Sequence, residues 1–246
     1  RHPLPTHFDT PGTPAGSELA TEVSAITYNW DTDTLFVVGD EGTSVVQVSK
    51  TGQLIDSMTL AAGEFADTEG LTYLGGGQFV LAEERLRQAV RFTYEGGGVL
   101  EDSETEAVKL ATTIGNIGLE GISYDPLSSD ASGPGFLGVK ESGPLGLFQT
   151  TIDFAAGTAS NGSPTTENPV NLFDPALVGT TDLSDVFPLS LLPDVEGGQS
   201  ENLLVISQEA GRIVNIDRTG AIANQLDIVD AGAPLAVPAQ TMEGVT

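Results

Sequence analysis

Cysteine is absent from the 246 residues, which removes disulfides, thiolate nucleophiles, zinc-thiolate sites and iron-sulfur clusters together. Histidine is nearly absent. His2 and His7 both lie in an N-terminal stretch rich in Pro and Thr, so neither a Ser-His-Asp triad nor a multi-histidine metal site finds its imidazole in the body of the chain. Positive charge is scarce: 9 Lys and Arg stand against 35 Asp and Glu, a formal charge of -26. Nucleic acid and anionic membrane surfaces are bound by clustered basic side chains, and this composition argues against both as partners. No run of 18 apolar residues occurs, so no helical membrane span is written in the chain. Any metal or proton chemistry falls to carboxylates.

What is present is enough for a core. Apolar residues make up 39%, unlike an acidic disordered tail. Short runs rich in Val, Ile, Leu, Phe, Tyr and Thr, such as Thr34 to Val38, Gln78 to Ala82 and Leu203 to Ser207, are bounded by Gly, Asp, Asn or Pro. Turn signals such as Thr51-Gly52, Gly75-Gly76-Gly77 and Thr219-Gly220 separate them. No helical periodicity persists for three turns, so the fold class is all-β with antiparallel hairpins.

Internal repetition narrows this further. Glu69-Gly70-Leu71-Thr72-Tyr73 recurs as Glu120-Gly121-Ile122-Ser123-Tyr124 and, cut short, as Glu243-Gly244-Val245-Thr246. Looser copies are Ser24-Ala25-Ile26-Thr27-Tyr28 and Ser184-Asp185-Val186-Phe187. Each of the first four is followed by an apolar strand ending in acid: Phe36 to Glu41, Phe79 to Glu84, Phe136 to Glu141 and Leu204 to Glu209. Repeats of this length, holding about four short strands, are the sequence form of a β-propeller blade. Starts near 24, 69, 120, 184 and 243 predict a five-bladed propeller over residues 21–246, its last blade incomplete, preceded by an extended segment over residues 1–20. The reading favours truncation of a longer chain, with the N-terminal segment pairing into the last blade, because an open ring exposes sheet edges.

In such a blade the start of the first strand and the end of the second meet at one rim. Glu69 is expected beside Glu84, Glu120 beside Glu141, Ser184 or Asp185 beside Glu209, and Ser24 beside Glu41, with Glu243 joining the same ring. Converging carboxylates repel and raise one another's pKa unless a cation neutralises them. The expected metal ligands are therefore Glu69, Glu84, Glu120, Glu141, Glu209 and Glu243, and the expected ion is calcium, a hard cation that takes oxygen donors.

The ordered motifs, D-x-E-G-L-x-Y-x-x-x-x-Q-F-V-x-x-x-E-R from Asp67 to Arg85, L-E-G-I-S-Y from Leu119 to Tyr124, Lys140-Glu141, D-L-S-D-V from Asp182, L-L-V-I-S-Q-E from Leu203 and M-E-G-V-T from Met242, resemble those of the SdiA-regulated, YjiK-like family of bacterial β-propellers. The resemblance covers roughly residues 20 to 246. It implies an exported or envelope-associated, calcium-associated propeller without settled enzymatic activity, located outside the cell or in the periplasm. The chain departs from the family pattern where the last blade's second strand is missing.

Other features read more plainly. Asp31-Thr32-Asp33 resembles the start of a calcium loop but lacks its glycine and distal glutamate, so it reads as a turn. Arg85, Arg87 and Arg91 concentrate three of the nine basic residues in one hairpin, and pairing with Glu83 and Glu84 is the expected use. Two function classes remain: a non-catalytic calcium-binding module offering a protein or small-molecule surface at its mouth, and a calcium-dependent, phytase-like phosphoesterase or other metal-dependent hydrolase. For the second, Lys140, Arg85 and Arg87 are a thin supply of charge against a phosphate. A carboxylate-pair glycosidase is weaker still, since nothing selects one pair.

Overall fold

A computed structural model describes residues 19–193, 195–230, 233–234 and 243–246. The segment expected over residues 1–20 lies outside the described residues except for Leu19 and Ala20, and so does any pairing of it.

The strands follow the apolar runs. β1 (Val23–Asn29), β2 (Thr34–Gly39), β3 (Ser44–Val48) and β4 (Leu54–Leu60) form an antiparallel meander. β5 (Thr68–Gly75), β6 (Gln78–Glu83) and β7 (Gln88–Thr93) begin the second, β8 (Val99–Leu100) adds in parallel to β4, and β9 (Glu106–Lys109) completes the second sheet. The third holds β10 (Gly121–Tyr124), β11 (Gly135–Lys140), β12 (Gly146–Asp153) and β13 (Thr158–Ala159). The fourth holds β14 (Asp185–Pro188), β15 (Leu203–Ser207), β16 (Arg212–Ile216) and β17 (Ile222–Asp227). A two-residue ladder, β18 (Val229–Asp230) with β19 (Ala233–Pro234), follows.

The second strand of each sheet is buried on both faces, which is why it reads as an unbroken apolar run. Side chains alternate across a strand, so Phe79 and Leu81 enter the core shared with Phe36 and Val38, whereas Val80 and Ala82 enter the core shared with Phe136. Leu137 and Val139 of β11 then face Val205 of β15. On the far side of the first sheet, Val37, Val46 and Val48 pack with Leu19 and Ala20. Each sheet is thus sandwiched against its neighbour, the arrangement of a β-propeller.

The expected count of five blades is corrected: among the described residues the propeller has four blades. Residues 243–246 form no strand. They do occupy an inner position between the first and fourth blades. The Tyr73 N–H donates to Thr27 Oγ1 at 3.2 Å and the Tyr124 N–H donates to Thr72 Oγ1 at 2.8 Å, each joining one blade's first strand to the next. The Tyr28 N–H donates to Thr246 Oγ1 at 3.0 Å in the same manner, and the Val245 N–H donates to Asp185 Oδ2 at 2.9 Å. Among the described residues a repeat start is therefore present without a sheet of its own.

The same packing explains the glycine of the repeated phrase. A Cβ on Gly70 would stand 2.8 Å from the Ile122 nitrogen, one on Gly121 2.5 Å from Asp185 Oδ1, and one on Gly244 2.8 Å from the Ile26 nitrogen. The constraint is space, since the next blade's backbone lies against the glycine. Gly70→Val should cost about 1–3 kcal/mol through overpacking, read as a lower urea midpoint; an unchanged midpoint would show that the blades can part there freely.

Candidate functional site

The first strands all start, and the second strands all end, at one mouth of the channel. The register fixes which residues arrive. Gly70 pairs Ala82, Ala25 pairs Val38, Gly121 pairs Val139 and Asp185 pairs Ile206. Two residues beyond each second-strand partner come Glu84, Asp40, Glu141 and Gln208, and one residue before each first-strand partner come Glu69, Ser24, Glu120 and Ser184. Glu243 holds the same place before Gly244.

These positions enclose a chamber of about 310 Å³ lined by Glu22, Ser24, Asp40, Glu69, Glu84, Asn116, Glu120, Glu141, Gln208 and Glu243. Five of the six residues expected as metal ligands line it together: Glu69, Glu84, Glu120, Glu141 and Glu243. Glu209 does not; its carboxylate accepts from the Thr181 hydroxyl at 2.7 Å, and Gln208 takes its place. Glu41 is likewise exposed, and Asp40, whose N–H donates to Ser24 Oγ at 3.2 Å, lines the chamber instead. Glu84 is oriented by the Gly118 N–H, 2.9 Å from its Oε1. Among the described residues, no three of these acids stand close enough together, as placed, to ligate one ion.

Burial dominates the electrostatics. Loss of water pushes Glu69 up to about 8, with Asp40, Glu243 and Glu84 adding to the rise and the Ser24 hydroxyl opposing it. Glu120 is raised by burial and then by Glu84, Glu69 and Glu141. Glu141 and Glu243 are raised chiefly by burial, the first with help from Asp182 and Glu209, the second against the Ser24 hydroxyl. Beneath them Asp185, raised by burial to about 8, accepts from the Val245 and Val186 N–H groups.

The neighbouring cations are engaged elsewhere. Arg85 pairs with Asp67 at 2.5 Å and donates to Asn116, Arg87 donates to the Glu167 carbonyl and Asn168, and Arg91 pairs with Glu106. None uses Glu83 or Glu84 as sequence suggested; Glu83 accepts from the Ala66 N–H and Gln88. Lys140 donates to the Ser142 and Pro144 carbonyls. The Asp31-Thr32-Asp33 segment is a turn, held by Asn29 Oδ1 accepting from the Asp31 and Thr32 N–H groups.

One family model, SdiA-regulated, matches residues 11–246. The chain belongs to the SdiA-regulated family. Solved structures similar to this SdiA-regulated propeller are distant. The periplasmic gluconolactonase PpgL of Pseudomonas aeruginosa matches at 15% identity and a TM-score of 0.44, over 86% of this chain and 55% of that one. Streptogramin B lyase matches at 13% and 0.42, over 89% and 59%. Virginiamycin B lyase from Staphylococcus aureus, in its selenomethionine form, matches at 12% and 0.40, over 85% and 56%. The chain spans little more than half the length of these structures.

Proposed function

We propose that this SdiA-regulated propeller is a non-catalytic binding module whose mouth takes a hard divalent cation, calcium, through Asp40, Glu69, Glu84, Glu120, Glu141 and Glu243. The observation that carries this is the convergence of seven carboxylates on one chamber whose lining contains no Lys or Arg. The donor set fits: it offers only carboxylate, amide and hydroxyl oxygens, and calcium takes six to eight oxygen ligands. Glutamate side chains are long, and small rotamer changes would bring several inward from their present separation. Binding would offset both the repulsion and the desolvation that raise Glu69, Glu120, Glu141 and Glu243. Glu209 is left out of the proposed set and Asp40 is added to it.

An affinity in the range of about 10⁻⁴–10⁻³ M, that of extracellular calcium modules, would suit the extracellular or periplasmic setting proposed here. The phosphoesterase reading gains less support, because Arg85, Arg87 and Lys140 are all committed to other partners. Calcium at a hundred times its Kd should stabilise the protein by about 2.7 kcal/mol, seen as a rise in Tm over an EGTA control and lost in the Glu69→Gln/Glu120→Gln variant. Superimposable curves in calcium and EGTA would sink the reading.

A further inference from the structure

The same inner strands carry a second cavity at their other ends, about 670 Å³ in volume, within the usual range for small-molecule sites. Trp30 and Tyr73 form an aromatic corner, their ring centroids 4.6 Å apart at 61°. Tyr28 continues that wall, and Phe187 and Leu192 face it. Ser190 Oγ is buried at this cavity without a hydrogen-bond partner. A hydroxyl in that state costs free energy unless something meets it.

The charges behind the aromatic wall define what fits. The Tyr73 hydroxyl donates to Asp31 Oδ2 at 2.5 Å and the Tyr28 hydroxyl donates to Asp33 Oδ1 at 2.6 Å. Donation to a carboxylate enriches each ring in electrons and sets a negative charge behind it. No Lys or Arg lines the cavity; Lys50 meets Asp33 on the exposed surface, 2.7 Å away. Lys50 offsets Asp33, which leaves the Asp31 carboxylate behind the aromatic wall; such a surface attracts a cation that is weakly hydrated, and repels an anion.

We propose that this cavity binds an amphiphilic organic cation, an alkylated ammonium with an apolar or aromatic body. The head lies against Tyr28 and Trp30, with the buried Tyr73 ring packed on Trp30 behind them, and the body runs along Phe187 and Leu192. The site is separate from the acidic mouth and does not depend on the cation reading made there.

Trp30 is the single tryptophan, so intrinsic fluorescence reports directly on the cavity. Benzyltrimethylammonium should change it saturably, whereas benzyl alcohol and benzenesulfonate should bind at least about tenfold more weakly, as expected when a desolvated cation–π contact supplies the difference. Leu192, 43% exposed, can accept a charge without disturbing the core. Leu192→Arg should weaken binding of the cation about tenfold by repulsion at unchanged Tm, while Glu69→Gln/Glu120→Gln should leave it alone. The proposal is overturned if the cation gives no saturable response, as it would were the cavity filled by the chain itself. Equal affinity for benzyl alcohol, indifference to Leu192→Arg, or loss of binding in the glutamine variant would each overturn it as well.

Discussion

Raising the pH from about 4.5 to about 8 in the presence of EDTA should cost the protein on the order of 3–5 kcal/mol of stability, the linkage expected of one carboxyl shifted as far as Glu69. Its pKa in the folded chain lies above the ordinary value of 4.5, so the folded state holds the proton that the unfolded state releases. That contribution is whole below pH 4.5 and lost as pH climbs through about 8. Glu120, Glu141 and Glu243 act in the same direction. Asp31, Asp33 and Asp217 are held low by Tyr73, Lys50 and the Ala221 N–H. They act in the opposite sense, but their contribution is complete above their ordinary value of 3.8. Urea midpoints measured across this range should therefore fall, and Glu69→Gln/Glu120→Gln should flatten the fall. A midpoint that rises toward pH 8 in EDTA would contradict the burial of these acids.

The second large effect lies away from the mouth. Asp125 is wholly buried and accepts two hydrogen bonds from Arg218, each 2.8 Å, as well as one from Ser128. Asp125 follows β10 and Arg218 follows β16, so this fork ties the third blade to the fourth. Asp125→Ala leaves a largely buried guanidinium without its counter-charge, at a cost of about 3–5 kcal/mol. For a chain of this size that is a fall in Tm on the order of 10 °C. The paired change Asp125→Leu/Arg218→Met should recover much of the loss, because two apolar side chains leave no charge stranded. A Tm for Asp125→Ala within a degree or two of the parent would show that Arg218 finds an equivalent partner.

Much of this architecture was legible in the sequence, and the failures have definite causes. The phrase Glu-Gly followed by an apolar residue, Thr or Ser, and Tyr marks the inner strand because each part has a physical task. The glycine admits the next blade, the hydroxyl of Thr27 or Thr72 takes that blade's N–H, and the acid before the glycine faces the mouth. The mouth residues in the first and fourth blades were misjudged by one position, Glu41 for Asp40 and Glu209 for Gln208. Aligning strands on their terminal acid ignores that a step of one residue turns a side chain to the other face, and only the hydrogen-bond register decides which residue arrives. Glu22 and Asn116 reach the chamber from outside the strands, where no period exists to reveal them. The blade count failed because a fifth copy of the start phrase supplies an inner position and not a sheet. The aromatic cavity left no signal, because Tyr28 and Tyr73 read as blade core and Trp30 as a lone residue; the contacts with Asp31 and Asp33 that give them a second use appear only in three dimensions.

The bond from the Tyr28 N–H to Thr246 Oγ1 has a consequence in time. Within each blade the strands meet through short turns, so those contacts are local and form early on a folding pathway governed by sequence separation. The Tyr28–Thr246 contact joins residues 218 positions apart, the opposite extreme of sequence separation. Contacts of such separation are expected to form after the local ones within the blades. Until this contact forms, the Tyr28 edge of the first blade is expected to stand unpaired, and an unpaired edge in a partly folded chain favours association with other copies.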